Sequence, residues 1–198
     1  MYSDVPINTF KPYFAEGDGY NPEIDGSLLR TIDVTNLDTS QVTDMNSMFI
    51  GCMGLTSLNL SNFDTSKVTN MVDMFIACES LTSLNVSHFN TSQVTNMFRM
   101  FAICKRLISL DLSNWNTSKV IYMNSMFEDC SGLTSLDLSN WVLSQDVNMS
   151  FMFNGCKSLR EITINDEASA NKLIDQINYD LNKTATWDSE TKIITISA

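Results

Sequence analysis

Apolar and polar residues alternate in short segments that return every 26 residues along most of the chain. One copy reads LTSLNLSNFDTSKVTNMVDMFIACES, and close variants precede and follow it. Near its start, Leu58 and Leu60 alternate with Ser57 and Asn59, which is typical of a strand with one buried face. We therefore expect each copy to begin with a short strand whose leucines point inward.

The rest of each copy predicts a turn followed by a short helical piece. The D/N-T-S triplet favours a turn, because its short side chains bond back to nearby backbone amides. Apolar residues then recur every three or four positions, as on one face of a short α- or 3₁₀-helix. In this copy they are Val68, Met71, Met74, Phe75 and Cys78. Since helical pieces are wider than strands, the stack should curve with the sheet on its inner side.

Self-similarity at a fixed period indicates a stacked array in which each copy buries its apolar side on its neighbours. We expect residues 29–164 to hold five copies and the strand of a sixth. Residues 1–28, which contain all three prolines, would form an irregular N-terminal cap. Two columns define the period: Cys52, Cys78, Cys104, Cys130 and Cys156, with Leu29, Leu55, Leu81, Leu107, Leu133 and Leu159.

Residues 165–198 predict a C-terminal cap made of a helix and a strand. Asn165 and Asp166 can cap a helix from roughly Glu167 to Leu181. A final strand over 192–197 would then extend the sheet by one more rung and close its far end.

The repeat resembles a known family. L-x-x-L-x-L is similar to the leucine-rich-repeat core, and M-F-x-x-C-x-x-L resembles the BspA-like branch of that family. The longer pattern L-T-S-L-D/N-L-S-N-F/W-D/N-T-S-x-V-T-N-M-x-x-M-F-x-x-C resembles the 26-residue repeat of bacterial surface proteins and mycoplasma lipoproteins. One column departs from ordinary leucine-rich repeats, because apolar and mostly aromatic residues replace the usual inward asparagine. They are Leu37, Phe63, Phe89, Trp115 and Trp141.

The resemblance implies an α/β fold and a secreted or surface-anchored module, with adhesion as the usual role. The implied architecture is a right-handed solenoid, with short parallel strands on one side and short helical or 3₁₀ pieces on the other. The resemblance supplies no catalytic residues and implies no cofactor. No basic region followed by an apolar stretch opens the chain, so we expect any export signal and anchor to lie outside this sequence. A cytoplasmic location is the alternative.

The charge narrows the possible partners. A net charge of −11 argues against nucleic-acid backbones, which need basic stripes, and against adsorption on anionic membranes. Without an apolar run of about 18 residues, we expect no membrane insertion by this fragment. We expect a monomer.

Several residue types could bind metal, but each has a simpler interpretation. The cysteine column could be a buried core row, a disulfide framework or a metal ladder, and the core row is favoured because five cysteines cannot all pair. The M-x-x-M pairs resemble copper(I) ligands, yet methionine also fills gaps between coils. His88, the single histidine, is read as a surface variant of an asparagine column. Glu16–Gly19, with Asp25 nearby, is faintly calcium-like.

Two surfaces remain as candidate binding sites. The first, here called the strand-face column, is the polar column on the exposed strand face, between the two inward apolar residues of each strand: Asp33, Asn59, Asn85, Asp111 and Asp137. The second, here called the outer patch, collects apolar and basic residues where the copies vary most: Phe98, Arg99, Lys105, Arg106 and Tyr122.

These observations favour a non-catalytic module that binds a host or neighbouring-cell protein or glycan through its repeat surface. A structural spacer or shield with no specific ligand is the alternative. An enzyme would require a polar cluster that the repeat does not explain, and the sequence offers none.

Overall fold

The inward leucines of the repeat form short parallel strands near the C-terminal end. A computed structural model describes residues 29–197, so the predicted N-terminal cap and its calcium-like segment lie outside the described residues. In chain order the elements are β1 (Ser109–Asp111), β2 (Ser135–Asp137), β3 (Glu161–Thr163), α1 (Glu167–Leu181), β4 (Ala185–Asp188) and β5 (Ile193–Ile196). The strands make one sheet in the order β1-β2-β3-β5-β4. The described part of the chain is therefore mixed α/β, with a five-stranded open sheet and a single helix.

Strands β1, β2 and β3 are parallel, and equivalent residues of successive copies stand side by side. Leu110 pairs with Leu136, which pairs with Ile162, and all three are buried. The same segment forms no regular strand within residues 29–108. There the copies are joined by isolated bonds, such as that from Thr56 N–H to Arg30 O at 3.2 Å. The predicted strand is thus confirmed in three copies and absent from the earlier ones, because at most one backbone bond joins neighbouring strand segments there and this does not make a ladder.

The outer side of the copies differs from the prediction. Turns, and no α- or 3₁₀-helix, occupy these segments throughout residues 29–164. Two residues of each copy, four positions apart, adopt the left-handed conformation, as do Asp73 (φ 55°) and Ala77 (φ 59°). The N–H groups of Asp73, Phe75 and Ala77 donate to the next copy, each at 2.9 Å, whereas a helix would keep these bonds within itself. The backbone N–H groups on this side are thus used between copies and not within a helix. The wide helical layer expected to curve the stack is therefore missing from these segments.

Stacked aromatic rings fill the interior between copies. The larger column has near-parallel neighbours with ring centroids 5.5–5.9 Å apart, and it consists of Phe49, Phe75, Phe101, Phe127 and Phe153. The predicted aromatic column in place of asparagine is confirmed: Phe89 stacks on Phe63 at 6.5 Å and on Trp115 at 6.4 Å. Burying one such side chain stabilises the fold by roughly 1.5–3 kcal/mol, against about 0–1 kcal/mol for an exposed ion pair. The apolar interior therefore holds the copies together.

A row of buried threonines also joins neighbouring copies, and sequence analysis did not predict it. The middle residue of D/N-T-S is buried in Thr39, Thr65, Thr91 and Thr117. The Oγ1 of Thr91 accepts from the N–H of Asn116 at 2.8 Å and donates to the carbonyl oxygen of the same residue at 3.0 Å. Each hydroxyl thus satisfies backbone groups that would otherwise be buried without a partner.

The C-terminal cap contains the predicted helix and one strand more than predicted. Asp166 caps α1 by accepting from the N–H of Ser169 at 2.8 Å, and Ala170, Leu173 and Ile177 form its buried face. β5 lies beside β3 as expected, but it runs antiparallel because β4 and β5 form a hairpin after the helix. The division at residues 28 and 164 stays a prediction.

Candidate binding surfaces

The residues of the strand-face column occupy turns that end each strand segment. In every one, Oδ1 accepts from the backbone N–H two residues later, at 3.0–3.2 Å. In Asp33 the hydroxyl and N–H of Thr35 lower the pKa of the carboxyl group. One oxygen of each side chain therefore serves the fold, which is the ordinary structural role of an Asx turn.

On β1 to β3 the exposed side chains line up in two rows. Asp111 stands beside Asp137, and Ser109 and Ser135 are followed in their row by Glu161. These residues line an open groove of about 320 Å³. With Thr163, which stands beside Asp137, three carboxylates and three hydroxyl groups thus share one shallow face that can hydrogen-bond a polar partner. The structure brings Asp111 and Asp137 together, while Asn59 and Asn85 lie on the same face of earlier copies.

The basic residues of the outer patch are mostly engaged within the protein. Arg99 Nη2 donates to Asp73 Oδ2 at 3.1 Å, while the 3.0 Å contact from Arg99 Nε to Asp73 Oδ1 is an ion pair without hydrogen-bond alignment. Burial raises the pKa of Asp73, and Arg99 opposes that rise. Lys105 Nζ lies 3.0 Å from Glu79 Oε1. Arg106 is exposed. The outer patch therefore presents less free positive charge than its composition suggests.

The aromatic members of the outer patch do come together. Phe98 is half-buried with the Arg99 guanidinium 4.5 Å from its ring centroid, and Tyr122 is 47% exposed. Both line an open pocket of about 290 Å³ with three asparagines, which are Asn96, Asn124 and Asn148. The asparagines could not be singled out from the sequence, because Asn96 and Asn148 repeat the commonest residue of their column.

The cysteine column is a buried core row, as predicted. All five thiols are free and buried. The Sγ of Cys130 donates to the carbonyl oxygen of Phe101 at 3.0 Å, and equivalent bonds run from Cys78, Cys104 and Cys156. Burial raises the pKa of Cys52 to about 11 and that of Cys130 to about 12. Neutral thiols of this kind are poor nucleophiles and poor metal ligands.

The methionine pairs and His88 also have structural surroundings. Both methionine columns are buried in the apolar interior. His88 Nε2 lies 3.0 Å from the carbonyl oxygen of Leu60, in the place where Asn62 donates to Val34 O at the same distance one copy earlier. Among residues 29–197, no group of three or more His, Cys, Asp or Glu side chains is arranged to hold a metal ion. Within the same residues, α1 is too short and too polar to cross a bilayer.

Comparison with known proteins identifies the family of the repeat. No curated protein and no solved structure matches the chain. One family model, described as "Mycoplasma protein of unknown function, DUF285", matches twice, over residues 25–110 and 84–185. The two matches overlap and together span the copies and helix α1. The chain therefore belongs to this family of Mycoplasma proteins of unknown function.

Proposed function

We propose that this protein is a non-catalytic recognition module of a bacterial cell surface, which binds a host or neighbouring-cell protein or glycan. In this proposal the copies form a BspA-like leucine-rich-repeat solenoid. The surface location is supported by the resemblance of the 26-residue repeat to repeats of bacterial surface proteins.

The single observation that carries the proposal is the polar face of β1 to β3. The buried polar side chains of the threonine row serve the backbone of the next copy, so the interior chemistry is structural. The carboxylates of Asp111, Asp137 and Glu161, by contrast, lie on one open face. A face three strands wide falls short of the roughly 800 Å² that each partner of a stable complex buries. Binding through it should therefore be weak per copy and strengthened when many copies are engaged.

The test uses the purified chain against a panel of extracellular-matrix proteins and a glycan array. The variant Asp111→Asn/Asp137→Asn/Glu161→Gln removes the negative face, and asparagine preserves the turns because Asn59 and Asn85 make the same bond. The matched control, Asp146→Asn/Asp175→Asn/Glu190→Gln, changes the charge equally at exposed positions elsewhere. We expect at least tenfold weaker binding of a partner by the first variant alone.

Two outcomes would count against the proposal. If the chain binds nothing on either panel, the recognition role loses its basis. If both triple variants lose affinity equally, the binding depends on overall charge and not on this face.

A spacer is the second candidate, and cross-copy contacts on the surface favour it. Lys67 Nζ donates to Gln41 Oε1 at 2.8 Å, and Lys119 repeats this bond with Gln93 at 2.8 Å. Surface side chains that bind the neighbouring copy stiffen the array. They also leave fewer free polar groups for a ligand. A spacer predicts that replacing one copy by another leaves every measured interaction of the bacterial surface unchanged.

A further inference from the structure

The pocket beside Tyr122 is the place where the repeat departs furthest from its own rules. In four copies the equivalent residue is an aspartate or asparagine whose Oδ1 accepts the N–H two residues later, at 2.8–3.2 Å. Tyr122 has no such oxygen, so the N–H of Asn124 lacks the acceptor that its counterparts have. A local rule broken without structural compensation is the usual mark of a functional position.

Two neighbouring positions depart from the repeat in the same place. Ile121, like Val147 in the next copy, replaces a threonine whose hydroxyl, in Thr69 and Thr95, donates to the preceding copy. Phe98 is the aromatic member of a column that elsewhere holds asparagine, valine or serine. Ile121 and Tyr122 are both exposed, at 44% and 47%. The chain thus gives up hydrogen bonds here and exposes the Ile121 side chain and the Tyr122 ring to solvent.

The polar groups of this pocket are amides. Asn96 and Asn148 use Oδ1 for the N–H groups of Phe98 and Ser150, which leaves their NH₂ groups as donors. Within residues 29–197 these NH₂ groups have no hydrogen-bond partner. Asn124 adds a third amide, and no charged side chain lines the pocket. At about 290 Å³ it is slightly smaller than the small-molecule sites that begin near 300 Å³, which suits a single sugar ring.

We propose that the pocket formed by Phe98, Tyr122, Asn96, Asn124 and Asn148 binds a neutral sugar residue of an oligosaccharide. A sugar ring carries an apolar C–H face that packs on an aromatic ring, and hydroxyl groups that pair with amides, which both donate and accept. The nearest cation, Arg99 against the Phe98 ring, is already paired with Asp73, so an anionic sugar would meet no unpaired positive charge and a protein of net charge −11. The inference rests on the proposed recognition role and names a ligand class for a second surface of the module.

The test probes the intact chain on an array of neutral and sialylated oligosaccharides, followed by saturation-transfer NMR with the best-bound neutral oligosaccharide. Tyr122→Asn restores the residue of the other copies and should fold at least as well, yet it removes the ring. The control is Phe151→Ser, which removes a similarly exposed ring (51%) outside the pocket at a position where other copies have serine. We expect Tyr122→Asn to lower affinity at least tenfold and Phe151→Ser to leave it unchanged.

The outcomes separate this inference from the recognition role. Neutral oligosaccharides bound equally by Tyr122→Asn and wild type, or no oligosaccharide bound, would overturn it. A peptide or protein bound through Tyr122 in the absence of any sugar would overturn the ligand class. If the wild-type chain binds a partner that the Asp111→Asn/Asp137→Asn/Glu161→Gln variant no longer binds, the recognition role stands although the sugar site fails.

Discussion

The thiol of Cys104 donates a hydrogen bond to the carbonyl oxygen of Phe75, 3.2 Å away and 29 residues earlier in the chain. Each cysteine from Cys78 to Cys156 repeats this bond with the phenylalanine of the preceding copy. The cysteine column is therefore part of the contact between copies, and its thiols report directly on whether the copies are stacked.

Thiol accessibility should follow global unfolding. In the native protein we expect none of the five thiols to react with Ellman's reagent within the time that a small exposed thiol needs. In guanidinium chloride without reductant all five should react, because none is paired. Fewer than five equivalents would reveal a disulfide, and rapid reaction without denaturant would contradict the buried row.

Stability should fall in alkaline solution. An exposed thiol has a pKa of 9.0, whereas burial raises that of Cys52 to about 11 and that of Cys130 to about 12. The unfolded chain therefore releases thiol protons first, so stability is fully present below pH 9 and is lost as pH rises from 9 toward 11–12. Each thiol contributes a slope of up to about 1.4 kcal/mol per pH unit.

Urea unfolding at several pH values, with reductant present, measures this slope. Cys130→Ala tests whether the thiol causes the decline. The variant should be less stable at every pH, but its stability should fall less steeply above pH 9. An unchanged slope would mean that other groups cause the decline.

Much of the interior could be predicted from the sequence, because burial alone sets the recurrence of its leucines, cysteines and aromatic residues. The outer segment could not, since the spacing of Val68, Met71, Met74 and Cys78 fits a helix and the observed turn equally well. Left-handed residues such as Asp73 and Ala77 distinguish the two. The column of Ala77 holds glycine in two copies, Gly51 and Gly155, and that sign of the left-handed conformation is separate from the apolar spacing. Tyr122 could be singled out because it breaks its column, whereas Asn96 and Asn148 repeat the commonest residue of that column and could not.

The buried threonine row should be sensitive to loss of one oxygen. Thr91→Val keeps the shape but leaves the N–H and carbonyl groups of Asn116 unpaired, so we expect a loss of about 1–3 kcal/mol in the free energy of unfolding. Thr82→Val, at an exposed strand-face position, should change it by less than about 0.5 kcal/mol. Chemical denaturation measures both free energies of unfolding. If Thr91→Val and Thr82→Val change them equally, the threonine row has no special structural role.

Strain at Ile103 should be removable. Its φ of 63° is unfavourable for a β-branched residue, and asparagine tolerates this region far better. We expect Ile103→Asn to raise the free energy of unfolding by about 1 kcal/mol. Val72→Asn makes the same kind of change outside the left-handed region, where Asn46 and Asn124 occupy the column, and should be neutral. Destabilisation by Ile103→Asn would mean that the isoleucine's packing outweighs the strain.

The C-terminal cap should keep the array soluble. Truncation after Ile164 removes β5 and the apolar face of α1, exposing the edge of β3 and the last core layer. Size-exclusion chromatography with light scattering should detect aggregates of this variant. Tyr179→Asp alters α1 at a site that is 76% exposed and should stay monomeric. A monomeric truncated protein with an unchanged unfolding transition would refute the protective role.

The antiparallel junction between β3 and β5 also limits where further copies of the repeat can be inserted. Every earlier junction within residues 29–163 is parallel, so a duplicated stretch of one whole period would find the same neighbour above and below it. Past β3 the direction reverses, and an added period would meet a strand running the wrong way. Length variants of this protein should therefore gain or lose whole periods before β3, and a variant with an extra period after Asp188 would contradict this rule.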